Sequence, residues 1–178
     1  MTTYLVVAKY TEDISWIPTG DHVVFVYDKS RDYENIGREA ETFARFFAEQ
    51  YDTLTSQDTV YLLQGNPFDH CPDILHKLTR PVTDLEYLGG LHTCDATGKP
   101  AHPGLPVGAV HALLFSEIPR EWTFAAGAQY GIPGHLVKNK TRHFWEWLHS
   151  LLYNETICAW TMERLWPCVF TSTYPARH

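Results

Sequence analysis

The chain has 178 residues, 44% of them hydrophobic and 20% charged, and a formal net charge of −7. This composition suits one folded domain around a single core. It excludes a disordered chain, and it argues against broad nucleic-acid binding, which needs a basic surface to displace counterions.

In chain order, residues 4–9 (Tyr-Leu-Val-Val-Ala-Lys) form a short apolar run that predicts a buried strand. The opening residues lack the basic and long apolar regions of a signal peptide, so they read as part of that strand, and a cytoplasmic location is expected. No apolar run reaches membrane-spanning length. After a polar turn from Tyr10 to Trp16, Val23–Tyr27 predicts a second strand, closed by Asp28-Lys29-Ser30. Ala40, Phe43, Ala44, Phe47 and Tyr51 then fall on one helical stripe, with Glu41, Arg45 and Glu49 expected to face away and Asn35 expected as the N-cap. Thr59–Leu63 predicts a third strand, followed by the turn Gln64-Gly65-Asn66-Pro67.

Strand, strand, helix, strand at this spacing predicts a single-domain α/β layered sheet with helices on both faces. In such sheets ligands bind beyond the C-terminal strand ends. The segments Lys9–Asp13, Asp28–Glu39 and Gln64–His70 are therefore expected to meet. Residues 89–108 are rich in glycine and proline and read as a mobile loop or acceptor-facing lid, or else as a plain irregular excursion. Residues 142–166 read as a helical, aromatic segment. Pro167 is expected to end or kink its last helix, and most of the six tryptophans are expected in the core. The basic stretch Lys138, Lys140, Arg142 and His143 reads as a solvated helix start, with a phosphate contact as the alternative.

Three places carry the parts of a site. Asn35-Ile36-Gly37-Arg38-Glu39, between strand and helix, combines free backbone N–H groups, a glycine for close approach and a guanidinium fork, the parts that hold a diphosphate. The alternative is a plain helix start with exposed charges. Gln64 to His70 gathers carbonyl, carboxylate and imidazole groups at a strand end. There Asp69 and His70 can share a divalent cation only if both lie in a turn; otherwise this is a proline turn. Glu163, beside Arg164 and aromatics, is a candidate general base with a raised pKa, or else an ion pair that ties down the last helix. Four cysteines without C-x-x-C spacing read as reduced thiols. Zinc ligation by Cys71 with His70 and His76, or by Cys94 with His92, is the alternative, although the spacing fits no common structural zinc site. Walker A, G-x-G-x-x-G and G-x-S-x-G patterns are missing.

The blocks Val6–Tyr10 with Glu12-Asp13 and Ser15-Trp16, Val26–Lys29, Asn35–Ala40, Tyr61–His70, Gly127–Tyr130 and Glu163–Trp166 resemble a domain-of-unknown-function family, which implies no settled activity. The order of strand, Asn-x-Gly, helix, strand and acidic turn is similar to the first half of GT-A (Rossmann-related) nucleotide-sugar glycosyltransferases. The Gln-aromatic strand, Trp-Leu helix and closing Glu-Arg-Leu look like short polysaccharide glycosyltransferase domains. The resemblance implies a compact GT-A-like enzyme that moves a sugar from a nucleotide-sugar donor to a hydroxyl. Its donor contacts would be Lys9, Tyr10, Asp28, Asn35, Gly37, Arg38, Glu39 and Gln64. Asp69 and His70 would hold Mn²⁺ or Mg²⁺, with Asp69 and Glu163 as catalytic groups. This chain has Gln-Gly-Asn where that class has Asp-x-Asp, which leaves Asp69 as the substitute carboxylate or implies metal independence. The acceptor would be a saccharide, a lipid-linked sugar, a protein or a hydroxylated nucleobase. Two alternatives are a non-catalytic glycan- or partner-binding domain with the same fold and a metal-dependent hydrolase using Asp69 and His70.

Overall fold

Two strands with apolar side chains on both faces organise the molecule, a computed structural model describing residues 1–100, 102–115 and 121–172. In β1 (Thr3–Lys9), Tyr4 and Val6 point into one core, and Leu5 and Val7 into another. Next come β2 (His22–Asp28), α1 (Arg38–Gln50) and β3 (Thr59–Gln64), whose Val60 and Leu62 join the first core and Tyr61 and Leu63 the second. The period-2 alternation of a strand makes both runs continuous in hydrophobicity, because neither face is wet.

The remainder comprises α2 (Ile74–Lys77), β4 (Glu86–Tyr87), β5 (Leu91–Asp95), α3 (Val107–Leu114), β6 (Glu121–Ala125), β7 (Tyr130–Pro133), α4 (Gly134–Lys138), α5 (Arg142–Tyr153) and α6 (Ala159–Thr171). The five-stranded sheet has the order β2-β1-β3-β7-β4. β1 is parallel to β2 and β3, while β7 is antiparallel to β3 and β4. The class is therefore mixed α/β, with a central sheet that is parallel on one side and antiparallel on the other.

The two faces are covered unequally. The larger core lies under α1, α3, α5 and α6, with Trp145 and Trp166 fully buried. The other face carries only the one-turn α2 and the loops holding Ile14, Trp16, Ile17 and Phe68. Helical cover on both faces is thus present only in reduced form.

Several local expectations change. Helix α1 starts after Gly37, which occupies the N-cap in the left-handed region at φ 63°, and Asn35 does not cap it. A β-carbon on Gly37 would lie 2.6 Å from Glu41 Cβ and 3.1 Å from the Leu152 carbonyl, so the backbone turns where only glycine fits. Glu41 does not face solvent: α5 packs along that side of α1, leaving Glu41 1% exposed. Pro167 does not end α6, which runs on to Thr171. Burial of Met162, Leu165, Val169 and Phe170 and the stacking of Trp166 on Phe170 (5.5 Å, 13°) hold the helix together across the missing N–H. Within 89–108, Leu91–Asp95 is a strand paired antiparallel with β6, and Val107 begins α3; Ala101 lies outside the described residues.

Candidate functional site

The register of the parallel strands sets the site. Lys9 pairs with Asp28, and Ala8 with both Tyr27 and Gln64, so β1, β2 and β3 end on one level. Their following loops rise from that level and enclose a cleft of about 580 Å³ lined by Ala8, Lys9, Tyr10, Glu12, Lys29, Asn35, Arg38, Glu39, Gln64, Asn66, Asp69 and His70. The three segments singled out in the sequence thus meet in one place, and Lys9, Tyr10, Asn35, Arg38, Glu39, Gln64, Asp69 and His70 all face it.

The other three named residues sit differently. Asp28 stands behind the wall, where its carboxylate accepts from Lys9 Nζ at 2.7 Å and from the Ser30 hydroxyl and N–H. The Lys9 bond, then the Ser30 hydroxyl, hold the Asp28 carboxyl down at about 2. Asp28 is not among the residues lining the cleft, and its carboxylate holds the Lys9 side chain that is. Gly37 opens into an adjacent hollow. Glu163 lies outside the cleft wall: its carboxylate accepts from Gly127 N–H at 2.7 Å and Arg164 Nη1 at 3.2 Å. Gly127, with φ 72°, is packed so closely that a β-carbon there would lie 2.5 Å from the His70 ring and 3.0 Å from Gln64 Oε1. Glu163 thereby fixes the backbone against which two cleft residues rest.

Each wall is anchored. Trp16 Nε1 donates to the Gly65 carbonyl at 2.7 Å, joining the first loop to the end of β3. Tyr10 N–H donates to Glu12 Oε2 at 2.6 Å, turning the Glu12 carboxylate toward Gly65. Asp69 ends a short 3₁₀ turn, Pro67–Asp69, and His70 follows it, so the two adjacent side chains share the cleft. Gln129, fully buried, steadies that turn by donating from Nε2 to the Pro67 carbonyl at 3.1 Å.

A buried ionic hub that the sequence did not reveal fixes the 29–37 loop. Lys29 Nζ donates to the Ile36 carbonyl and to Glu41 Oε2, each at 2.6 Å. Glu41 Oε1 accepts from Arg45 Nε at 2.8 Å and lies 2.7 Å from His149 Nε2. Burial alone would raise the Glu41 pKa, but hydrogen bonds from His149 and Lys29 outweigh it and bring the carboxyl to about 2. Burial pulls Lys29 below the usual lysine range despite its partner. A pairing signal existed only in the i,i+4 spacing of Glu41 and Arg45; the contacts with Lys29 and His149 are tertiary.

Two groups stand out chemically inside the cleft. Arg38 also adopts a left-handed backbone (φ 51°), and its side chain is 57% exposed, with Nε 3.6 Å from Glu39 Oε2. Glu39 is buried, and burial pushes its carboxyl above the ordinary range; Arg38 opposes this and Glu163 adds to it. A carboxyl raised in this way holds and releases a proton closer to neutrality.

Asp69 and His70 supply a carboxylate and an imidazole, but no group of three or more His, Cys, Asp or Glu able to hold a metal ion exists among the described residues. Cys71 Sγ donates to Asp73 and accepts from Lys77, and Cys94 Sγ donates to the Asp95 carbonyl. The basic stretch is structural too: Lys140 is buried, with Nζ donating to the Ser172 carbonyl at 3.0 Å, and Arg142 pairs with Asp52 and Glu146. No helix among the described residues is long and apolar enough to cross a membrane.

No family model, curated protein or solved structure matches the chain. The arrangement itself defines the class: a mixed α/β domain with a polar, carboxylate-bearing cleft at the ends of three parallel strands.

Proposed function

We propose that the protein is a GT-A-like glycosyltransferase, moving a sugar from a nucleotide-sugar donor to a hydroxyl. The observation that carries this reading is the convergence of three strand-end loops on one cleft, with Arg38 and the start of α1 at its rim. Arg38, 57% exposed and paired with Glu39 only at 3.6 Å, offers its guanidinium to an anionic ligand, whereas Lys9 and Lys29 are less exposed and held by carboxylates at 2.7 and 2.6 Å. Asn35, Gln64 and Tyr10 provide amide and hydroxyl groups for the rest of the donor.

With Glu12, Glu39 and Asp69 also facing the cleft, a diphosphate enters most easily together with a divalent cation. Mg²⁺ and Mn²⁺ are commonly held by one or two carboxylates plus substrate phosphates, and Asp69, with His70 beside it, fits that donor set. Such a cation would neutralise the departing diphosphate. A hydrolase with a resident metal asks for three protein ligands, which Asp69 and His70 alone do not supply. Glu39 is the better candidate for the acceptor's proton: it lies in the cleft with a raised pKa, while Glu163 is committed to Gly127 and Arg164.

A second reading is a non-catalytic glycan-binding domain. It draws on the same lining of carboxylates, amides and a tyrosine, which suits neutral sugar hydroxyls as well. Thermal shift against nucleoside diphosphates and their sugars, with and without Mn²⁺, separates the two. A rise in melting temperature with nucleotide is expected. A response to free glycans only would favour the binding domain, and no response to any nucleotide would sink the enzyme.

A further inference from the structure

Beside the polar cleft lies a second hollow of about 440 Å³, and the two share Asn35 and Arg38. Its far wall is different in character. Ile157, Cys158, Ala159 and Trp160 come from the turn into α6 and its first residues, and Glu155 stands beside them. Trp160 is 50% exposed, while Thr161, Met162, Arg164 and Leu165 around it on the same helix are buried. A half-exposed indole at the wall of a hollow is not explained by packing of the core.

The indole is also braced. The His102 ring lies 5.7 Å from it at 30°. His102 Nδ1 in turn meets Arg164 Nη2, and Arg164 Nη1 donates to the carbonyl of Trp160 itself. Arg164 is 1% exposed and lies over the Phe124 ring at 5.0 Å, so the platform is tied to the interior. Such support lowers the ordering cost of binding a ligand ring.

We propose that this hollow is a saccharide subsite, in which a sugar ring lays its apolar C–H face on Trp160 and turns its hydroxyls toward Asn35, Arg38 and Glu155. An aromatic plane flanked by an amide, a guanidinium and a carboxylate matches the two-sided chemistry of a pyranose, apolar across its faces and polar around its edge. Calling this ring the acceptor rests on the glycosyl transfer proposed above. Arg38 and Asn35 then form the shared wall between donor and acceptor.

The test uses saturation-transfer NMR on the intact chain with a panel of neutral disaccharides built from glucose, galactose, mannose and N-acetylglucosamine, alongside titration with UDP and GDP. At least one disaccharide is expected to show saturation of its ring C–H protons. Trp160→Ala should weaken that binding about tenfold or more, Trp160→Phe should weaken it less, and neither should change nucleoside diphosphate affinity. The Trp160 side chain is half exposed and only its backbone carbonyl serves Arg164, so both variants should fold, and circular dichroism checks this. If no disaccharide binds, or if binding is unchanged in Trp160→Ala, the subsite is refuted. Loss of UDP or GDP affinity in Trp160→Ala would also refute it and assign the indole to the donor's base. Disaccharide binding at Trp160 without nucleoside diphosphate binding would refute the donor reading and leave the subsite standing.

Discussion

Replacing Glu41 by glutamine keeps the side chain's shape and removes its charge from a site that is 1% exposed. Lys29, whose side chain is 3% exposed, then loses its carboxylate, as does His149, while Arg45 keeps only the longer pair with Glu49 at 3.8 Å. Breaking a buried ion pair on one side costs about 3–5 kcal/mol. The drop of the Glu41 carboxyl from its ordinary 4.5 to about 2, at about 1.4 kcal/mol per pH unit, gives about 3 kcal/mol by a separate route. For a domain of this size each kcal/mol lowers the melting temperature by about 2–4 °C, so Glu41→Gln should melt about 6–20 °C below wild type at pH 7. The sign with pH follows from the direction of the shift. A depressed carboxylate stabilises the fold fully above the unfolded value of 4.5 and loses that contribution as pH falls toward 2. The gap between variant and wild type should therefore narrow between pH 5 and 3. Glu146→Gln is the control: its carboxylate is 49% exposed, and the loss of its pair with Arg142 should cost at most about 0.5 kcal/mol. Melting curves at several pH values decide the matter. A Glu41→Gln protein within about 1 kcal/mol of wild type at pH 7, or a gap that ignores pH, would show that the hub does not hold the loop.

Further outcomes follow from the same geometry. Glu39→Gln should stabilise the fold at pH 7, because a carboxyl whose folded pKa is raised favours the protonated native state and loses stability as pH rises above the unfolded value. The gain should vanish in acid, as read by urea melts at pH 7 and pH 4, while any transfer activity falls steeply. Gly37→Ala should destabilise by more than about 1 kcal/mol, since it adds a side chain at φ 63° and 2.6 Å from Glu41 Cβ; chemical denaturation measures it. Arg38→Ala should weaken nucleoside diphosphate binding by about 10- to 100-fold, as expected for a lost charge-assisted hydrogen bond, with little change in melting temperature because the side chain is 57% exposed. Calorimetric titration of UDP and GDP reads this directly, and unchanged affinity would remove Arg38 from the donor site.

The parts of the fold legible in the sequence are those whose burial is set by a single chain segment. β1, β3 and α1 announce themselves as apolar runs or a helical stripe, β2 reads from its β-branched run although Val23, Val24 and Val26 lie exposed at the sheet edge, and their order placed the cleft at the strand ends. What stayed hidden depends on neighbours distant in the chain. A helical wheel shows one apolar face of α1, and only the packing of α5 against a second face turns Glu41 from a solvent residue into a buried anchor. β4 pairs over only two residues and β5 carries exposed Leu91 and His92, so neither has a pattern strong enough to read. Pro167 looks like a stop in sequence, yet the aromatic packing of Trp166 and Phe170 outweighs the missing N–H. Of the tryptophans, Trp160 differs only in where the start of α6 leaves it, which no spacing rule records.

The alignment of Lys9, Asp28 and Gln64 on one level has a consequence for tolerance to change. Because β1 is buried on both sides, sliding it by a single residue would exchange Tyr4 and Val6 with Leu5 and Val7 between two unlike interiors. The same slip would carry Lys9 away from Asp28 and tilt the floor of the cleft. The strands therefore act as a fixed gauge, and the loops that stand on it can be lengthened or rewritten without disturbing that gauge.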